Sequence, residues 1–252
     1  METRRAFVLA AGLGTRLKPL TDTRPKALVE VGGEPLIYHI LKKLQAAGYD
    51  EITVNVHHFA SMLSEYLGRE FPQVHISDES DCLLDTGGGI LRARRFLEEI
   101  PSLALGITGE APKRFLVHNV DIFSNLDLRS IPAEKDAVAT LVVSERDSSR
   151  HLLFDEEMNL AGWVDERTGE VRSPHGAIDP AKYRRLAFSG IHLVSDAIFP
   201  LFEKYGFSGR FSIIDAYLRL CAEHRIRGFV PDGFRILDIG KLDALDRAPE
   251  FL

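Results

Sequence analysis

Between Leu9 and Lys26 the chain reads LAAGLGTRLKPLTDTRPK, placing two glycines and four cationic side chains behind a short apolar run. Glycine backbone lets N–H groups approach an anion with no Cβ in the way. Arg16 and Lys26 bring charge to the same loop from either end, and Pro19 and Pro25 stiffen it. Phosphate suits such a loop. A Walker loop needs Lys directly after its last Gly, and here no Lys follows a Gly. The dinucleotide fingerprint is half present as Gly12 and Gly14, but Leu17 takes the third place and Lys18–Pro19 breaks the helix that should begin there. The third option is a long loop that wraps a nucleoside triphosphate, beside the simpler reading of a solvated basic turn.

Charge supports a compact polyanion. Residues 1–26 carry six cations against two anions, a net of +4 in a chain whose total is −6, which leaves −10 on the other 226 residues. A broad nucleic-acid face is excluded by that balance. No apolar run approaches a membrane span, and the short run after Arg4 and Arg5 ends too soon at Arg16 for a secretory signal. Cys82 and Cys221 make neither a disulfide framework nor a metal spacing, so a cytoplasmic protein that binds no membrane is expected.

Further along, DTGGGI (85–90) sets three glycines ahead of an expected helix, where bare backbone can meet a flat base or a phosphate, or can simply turn tightly. Asp121 and Asp238 each end an apolar strand. Strand-end aspartates often cap helices or form turns, yet two carboxylates reaching one cleft also suit Mg²⁺. His57, His58 and His118 are read as structural, and Trp163 and Phe188 as core packing.

These residues need a scaffold. Apolar periodicity predicts strands at 5–10, 51–56, 73–77 and 115–120, with helices at 35–47, 59–67 and 90–100 between them, the last facing inward through Ala93, Leu97 and Ile100. Such alternation implies a parallel, doubly wound sheet. The second half changes to strands at 136–143, 151–154, 160–164 and 185–195, an antiparallel extension. Ser212 opens a helix with Asp215 as the partner of a capping box. Strands near 226–230 and 234–238 and a short helix from Lys241 close the chain. One domain covers 1–252, with a nucleotide-binding half (1–125) and a second half (126–252) for the other substrate.

The segments 9–28, 83–91 (LLDTGGGIL), 116–122 (LVHNVDI), 188–195 (FSGIHLVS) and 237–248 (LDIGKLDALDRA) together resemble the sugar-1-phosphate nucleotidyltransferases. The LxTGGGI form is most similar to N-acetylmuramate-1-phosphate uridylyltransferases and mannose-1-phosphate guanylyltransferase-like proteins. The resemblance implies a Rossmann-like, GT-A-like α/β fold with a mixed, mostly parallel sheet flanked by helices. It implies transfer of a nucleotidyl group from a nucleoside triphosphate to a sugar 1-phosphate. Leu9, Ala11, Gly12, Gly14, Thr15, Arg16, Lys26, Gly87 and Gly88 would then meet the nucleotide, and Asn119 and Gly190 the sugar phosphate. Asp121 and Asp238 would hold Mg²⁺. Arg16, Lys26 and Asp121 are the implied catalytic residues.

The chain also departs from that pattern. Val120 stands where Gly is usual, and the Glu-Lys-Pro segment whose Lys grips the sugar phosphate is missing between 155 and 185; Arg172, Lys182 and Arg184 are the substitutes at hand. Many relatives continue into a hexapeptide-repeat domain, so transfer activity alone is expected of a chain ending at Leu252. A cytidylyltransferase for a phosphorylated alcohol such as phosphocholine and a non-catalytic nucleotide-sugar sensor are the competing readings. Glycosyl transfer is disfavoured, because Asp121–Ile122–Phe123 is not a DxD motif. Base, sugar and oligomeric state are not specified by these residues.

Overall fold

A computed structural model describes residues 3–98, 113–240 and 242–251. The described residues form fourteen strands: β1 (Arg5–Leu9), β2 (Glu30–Val31), β3 (Glu34–Pro35), β4 (Glu51–Val56), β5 (His75–Asp78), β6 (Arg114–Asn119), β7 (Ile122–Ser124), β8 (Ala137–Ser144), β9 (Arg150–Phe154), β10 (Leu160–Asp165), β11 (Glu170–Arg172), β12 (Arg184–Ser195), β13 (Arg225–Phe229) and β14 (Ile236–Asp238). The helices are α1 (Leu36–Ala46), α2 (Ala60–Glu70), α3 (Asp85–Arg92), α4 (Arg94–Leu97), α5 (Ile198–Lys204), α6 (Ile213–Leu220) and α7 (Leu242–Leu245). Among the described residues no helix is long and apolar enough to cross a membrane.

One mixed sheet runs through both halves of the chain in the order β11-β10-β9-β12-β6-β1-β4-β5, with β8 and β13 branching from β12. The first-half strands β6, β1, β4 and β5 are parallel. The long β12 joins the halves by pairing antiparallel with β6, β8 and β9. Two apolar cores cover the two faces of the sheet. One packs α1 and α2 through Leu36, Ile40, Leu44, Leu63 and Leu67, and the other packs α5 and α6 through Phe199, Phe202, Ile213 and Tyr217. The spacing of these apolar residues is why the segments form helices there.

Three expectations change. The helix expected from Ile90 begins at Asp85, so the three glycines lie inside it, and it breaks at Ala93 before α4; Ile100 lies outside the described residues. Glycine in a helix costs about 1 kcal/mol against alanine, and close packing described below overrides that cost. Ser212 does cap α6, its Oγ accepting from Ile214 N at 3.2 Å, but Asp215 turns away to Arg172 Nη1 at 2.7 Å. The charged pair replaces the second half of the capping box. Helix α5 is an element the expectations lacked, and its Pro200 falls in the first turn, where proline is tolerated.

His118 and His192 are buried in neighbouring strands at the centre of the sheet, and His192 Nδ1 lies 2.6 Å from Tyr217 Oη. Burial pushes His118 down to about 4 and His192 down to about 3, the second also disfavoured by the first. An unfolded histidine titrates near about 6.5. Stability is therefore complete above that value and declines as the pH falls toward about 4, because the unfolded chain takes up protons that the fold refuses. Urea midpoints measured from pH 7 to pH 4 should fall across this window, and His192→Asn, which keeps a polar atom facing Tyr217, should make the slope shallower.

Candidate active site

The loop after β1 folds back on itself. Gly14 has φ +64°, and a Cβ there would lie 2.9 Å from Thr21 Cγ2 and 3.0 Å from Lys26 Cβ, so both conformation and space require glycine. Thr21 Oγ1 and Leu17 N each donate to Gly14 O at 2.9 Å, and Leu17 is buried beneath. Nothing approaches the Cβ position of Gly12 within 4 Å, so that glycine leaves open backbone. The loop forms one wall of a cavity of about 440 Å³ that Leu9, Ala11, Gly12, Gly14, Thr15, Arg16 and Lys26 all line.

The carboxylates converge at one end. Asp121 follows β6 at the C-terminal edge of the parallel strands, and β14 pairs with β7 so that Asp238 lies opposite Ile122. Lys26, 7% exposed, bonds Asp121 Oδ2. Burial raises the Asp238 carboxyl above the ordinary carboxylate range, Asp121 raises it further, and Lys26, Arg16 and Arg146 oppose the rise. A Cβ on Gly240 would sit 2.7 Å from both Arg16 Nη2 and Asp238 Oδ1, so glycine at 240 leaves room for these two side chains. Asp238 Oδ1 is buried without a hydrogen-bond partner.

Two carboxylates, one orphaned oxygen and three surrounding cations make a set that could hold a divalent cation beside phosphates. Among the described residues no group of three or more His, Cys, Asp or Glu gathers, so phosphate or water oxygens would have to complete a cation's shell.

Some expected contacts are not made. Gly87 and Gly88 do not line the cavity. A Cβ on Gly87 would lie 2.3 Å from the Phe211 ring and one on Gly88 2.3 Å from Gly209 O, while both backbone N–H groups donate to Phe211 O. Their donors are spent, and Asp85 and Thr86 border the cavity in their place. This clamp carries Arg210 to the cavity wall. Gly190 has φ +80° at an irregularity of β12, behind Asn119, whose Nδ2 lies 2.6 Å from where a Cβ would be. Asn119 therefore reaches the cavity and Gly190 makes room for it.

A second cavity of about 620 Å³ shares Asp85 with the first. Trp163 and Phe188 pack against the second core, as expected, and also border this cavity. Arg172 stacks 4.1 Å over Trp163 and borders it too, whereas Arg184 pairs with Glu145 and Lys182 is exposed outside both cavities. Sequence reasoning missed Asn55, Glu79, Arg146 and Arg210, none of which belongs to a recognisable motif. His57 and His118 are structural: His57 Nδ1 meets Glu79 O at 2.6 Å and His118 Nδ1 meets Asn119 O at 2.8 Å.

The sequence profile of the nucleotidyl transferase family matches residues 5–143. The chain belongs to that family. This transferase is 38% identical over 237 residues to N-acetylmuramate alpha-1-phosphate uridylyltransferase of Caulobacter vibrioides, covering 90% of this chain and 88% of that one. It is 30% identical over 239 residues to a bifunctional sugar-1-phosphate nucleotidylyltransferase/acetyltransferase of Sulfurisphaera tokodaii, covering 94% of this chain and 52% of the relative. The fold matches HddC from Yersinia pseudotuberculosis complexed with GMP-PN, with a TM-score of 0.72, 23% identity and coverage of 98% and 99%. It also matches the inositol-1-phosphate CTP transferase from T. maritima, with a TM-score of 0.76, 17% identity and coverage of 99% and 94%. The family resemblance read from the motifs is thus correct, and the transferase is a sugar-1-phosphate nucleotidyltransferase.

Asp238→Asn removes a half-buried charge that repels Asp121. The melting temperature should hold or rise, while pyrophosphate release falls about 100-fold or more, the scale of losing one preorganised charged contact. A melt and a pyrophosphate-release assay on the same sample check both halves.

Proposed function

We propose that the enzyme transfers a uridylyl group from UTP to N-acetylmuramate 1-phosphate in a Mg²⁺-dependent reaction. One observation carries the chemistry: Lys26, Arg16 and Asp121 line the loop-walled cavity, and Asp238, from a distant part of the chain, lies beside them within reach of their charges. The identity of base and sugar is supported by the name of the Caulobacter relative, which aligns with this chain over nearly the full length of both.

A phosphate oxygen of the sugar phosphate attacks the α-phosphorus, the bond from that phosphorus to the bridging oxygen breaks, and pyrophosphate leaves. The attacking oxygen is already ionised, so no general base is required. Repulsion between two anions is the obstacle, and the protein's work is positioning and charge neutralisation. Lys26 neutralises charge at the reacting phosphates and Arg16 holds the departing pyrophosphate. Open backbone at Gly12 lies along the triphosphate. Asp121 and Asp238 would hold Mg²⁺, which would supply further positive charge to the reacting phosphates. The acceptor occupies the second cavity, with Arg172 and Trp163 in reach of it and Asp85 at the junction.

Glu79 bears on the base. It is 0% exposed on the wall of the first cavity, Oε1 accepts from Asn55 Nδ2 at 2.8 Å, and Oε2 has no partner. Burial raises the Glu79 carboxyl, and hydrogen bonding from Asn55 and the Leu84 backbone with the charges of Arg92 and His57 opposes the rise. In its accepting form the oxygen fits the ring N–H of uracil and opposes the ring N of cytosine, which is itself an acceptor. That favours UTP over the cytidylyl alternative.

A matrix of four nucleoside triphosphates against several sugar 1-phosphates should give the highest kcat/KM for UTP with N-acetylmuramate 1-phosphate. Chelating divalent cations should abolish pyrophosphate release, and Mg²⁺ should restore it. Glu79→Gln must keep its oxygen toward Asn55 and so present an amide N–H₂ to the base, which should lower the UTP-to-CTP preference at least about tenfold, the range of one hydrogen bond to a buried group. Preference for another base in the wild type would overturn the uridylyl assignment while leaving nucleotidyl transfer intact.

A further inference from the structure

Packing accounts for the run of three glycines in α3, but one contact leads elsewhere. Gly87 and Gly88 give way to the 209–211 segment, whereas a Cβ on Gly89 would lie 2.9 Å from Glu79 Oε1 and 3.1 Å from Asn55 Nδ2. Those two polar atoms bond each other at 2.8 Å. Asn55 is 2% exposed, and its Oδ1 accepts from Ala10 N at 2.6 Å and Ala11 N at 3.2 Å.

Strand β1 ends at Leu9, so Ala10 and Ala11 have left the ladder between β1 and β4 as the phosphate loop begins. Buried N–H groups without acceptors cost about 1–3 kcal/mol each, and Asn55 on β4 supplies the acceptor that the ladder no longer does. An amide can do so in one orientation only. Two backbone donors demand Oδ1, which sends Nδ2 to the opposite side, and there Glu79 Oε1 receives it. Glu79 is fixed in turn by its own backbone, with N donating to Val56 O at 2.8 Å and O meeting His57 Nδ1 at 2.6 Å. Gly89 exists to let this pair sit against α3.

We propose that Asn55 is a positioning residue for the phosphate loop and that Glu79 sets the direction of its amide. The pair fixes where the loop leaves the sheet, and hence where the open backbone of Gly12 and the Arg16 guanidinium face the triphosphate. This rests on nucleotidyl transfer alone and not on which base or sugar is used.

The pair can be inverted with little change of shape. Asn55→Asp sets a carboxylate against a carboxylate. Asn55→Asp combined with Glu79→Gln restores a donor–acceptor pair of reversed polarity, keeps both acceptors for Ala10 and Ala11, and leaves an oxygen facing the cavity. Kinetics use the triphosphate and acceptor that the wild type turns over best, and triphosphate binding without acceptor is read by calorimetry. Asn55→Asp is expected to lower kcat/KM for the triphosphate and its calorimetric affinity at least 30-fold, with KM for the acceptor within twofold of wild type. The double variant is expected to regain at least tenfold of that loss.

Wild-type kinetics in Asn55→Asp, or a double variant no better than the single, would overturn the proposal. If Asn55→Asp does not fold by circular dichroism, the double variant decides: a folded protein within threefold of wild type supports the inference, and a folded one down tenfold, or one that fails to fold, defeats it. A wild type that turns over no pair would count against the catalytic reading, while the calorimetric comparison would still judge the dyad.

Discussion

The structure is organised around a repulsion. Asp121 and Asp238 come from the two halves of the chain, and the second is raised by its burial and by the first. Like charges in a low-dielectric setting persist only where opposite charge surrounds them, and Lys26, Arg16 and Arg146 provide it. Much of the architecture serves that arrangement. The loop after β1 exists to bring Arg16 and Lys26 back toward the edge of the sheet, and the β7–β14 pair exists to bring Asp238 up beside Asp121. A charge cluster that is strained when alone is suited to ligands that repel one another.

Close approach of backbone is the second constraint. Helix α3 carries three consecutive glycines at a cost in helix propensity because three different neighbours press on it: the Phe211 ring, the Gly209 carbonyl and the Asn55–Glu79 pair. The contacts with 209–211 tie the start of α3 to the start of α6, which Ile213 N reinforces by donating to Thr86 Oγ1 at 2.9 Å. The two cavities therefore share a rigid wall at Asp85. A glycine motif that looks like a ligand cradle is here a joint between segments, and the surface it stiffens is the one the ligand meets.

What could be read from the chain follows the range of the interaction involved. Strand β4 was bounded correctly at 51–56 because β-branched Ile52, Val54 and Val56 alternate with polar residues, a period-two pattern that is a local signal. The charged loop was legible because its residues follow one another along the chain, and Asp121 and Asp238 because each ends an apolar strand and falls in a segment that resembles the family's. Asn55 and Glu79 were not, since an asparagine in a strand and a glutamate in a turn carry no local mark of a bond formed across 24 residues. Arg210 was silent for the same reason: an exposed arginine between Gly209 and Phe211 becomes a cavity residue only through the clamp on Gly87 and Gly88. Trp163 packs against the core as expected, but that it also borders a cavity could not be read, because apolar character says nothing about which part of a ring stays uncovered.

Two buried oxygens bear on why the site has this composition. Among the described residues Asp238 Oδ1 and Glu79 Oε2 both lack a hydrogen-bond partner; Glu79 lines the loop-walled cavity, and Asp238 lies beside Asp121, Lys26 and Arg16, which line it too. Native proteins pair nearly all buried polar atoms, and each exception costs about 1–3 kcal/mol. An apolar side chain at 238 would relieve that cost within the free protein, whereas Glu79 is also needed by Asn55 Nδ2. Their presence is intelligible if the missing partners come with the substrates, a cation at Asp238 and a ring N–H at Glu79. On that reading these two atoms would draw affinity from groups already fixed in place, with little ordering left to oppose it.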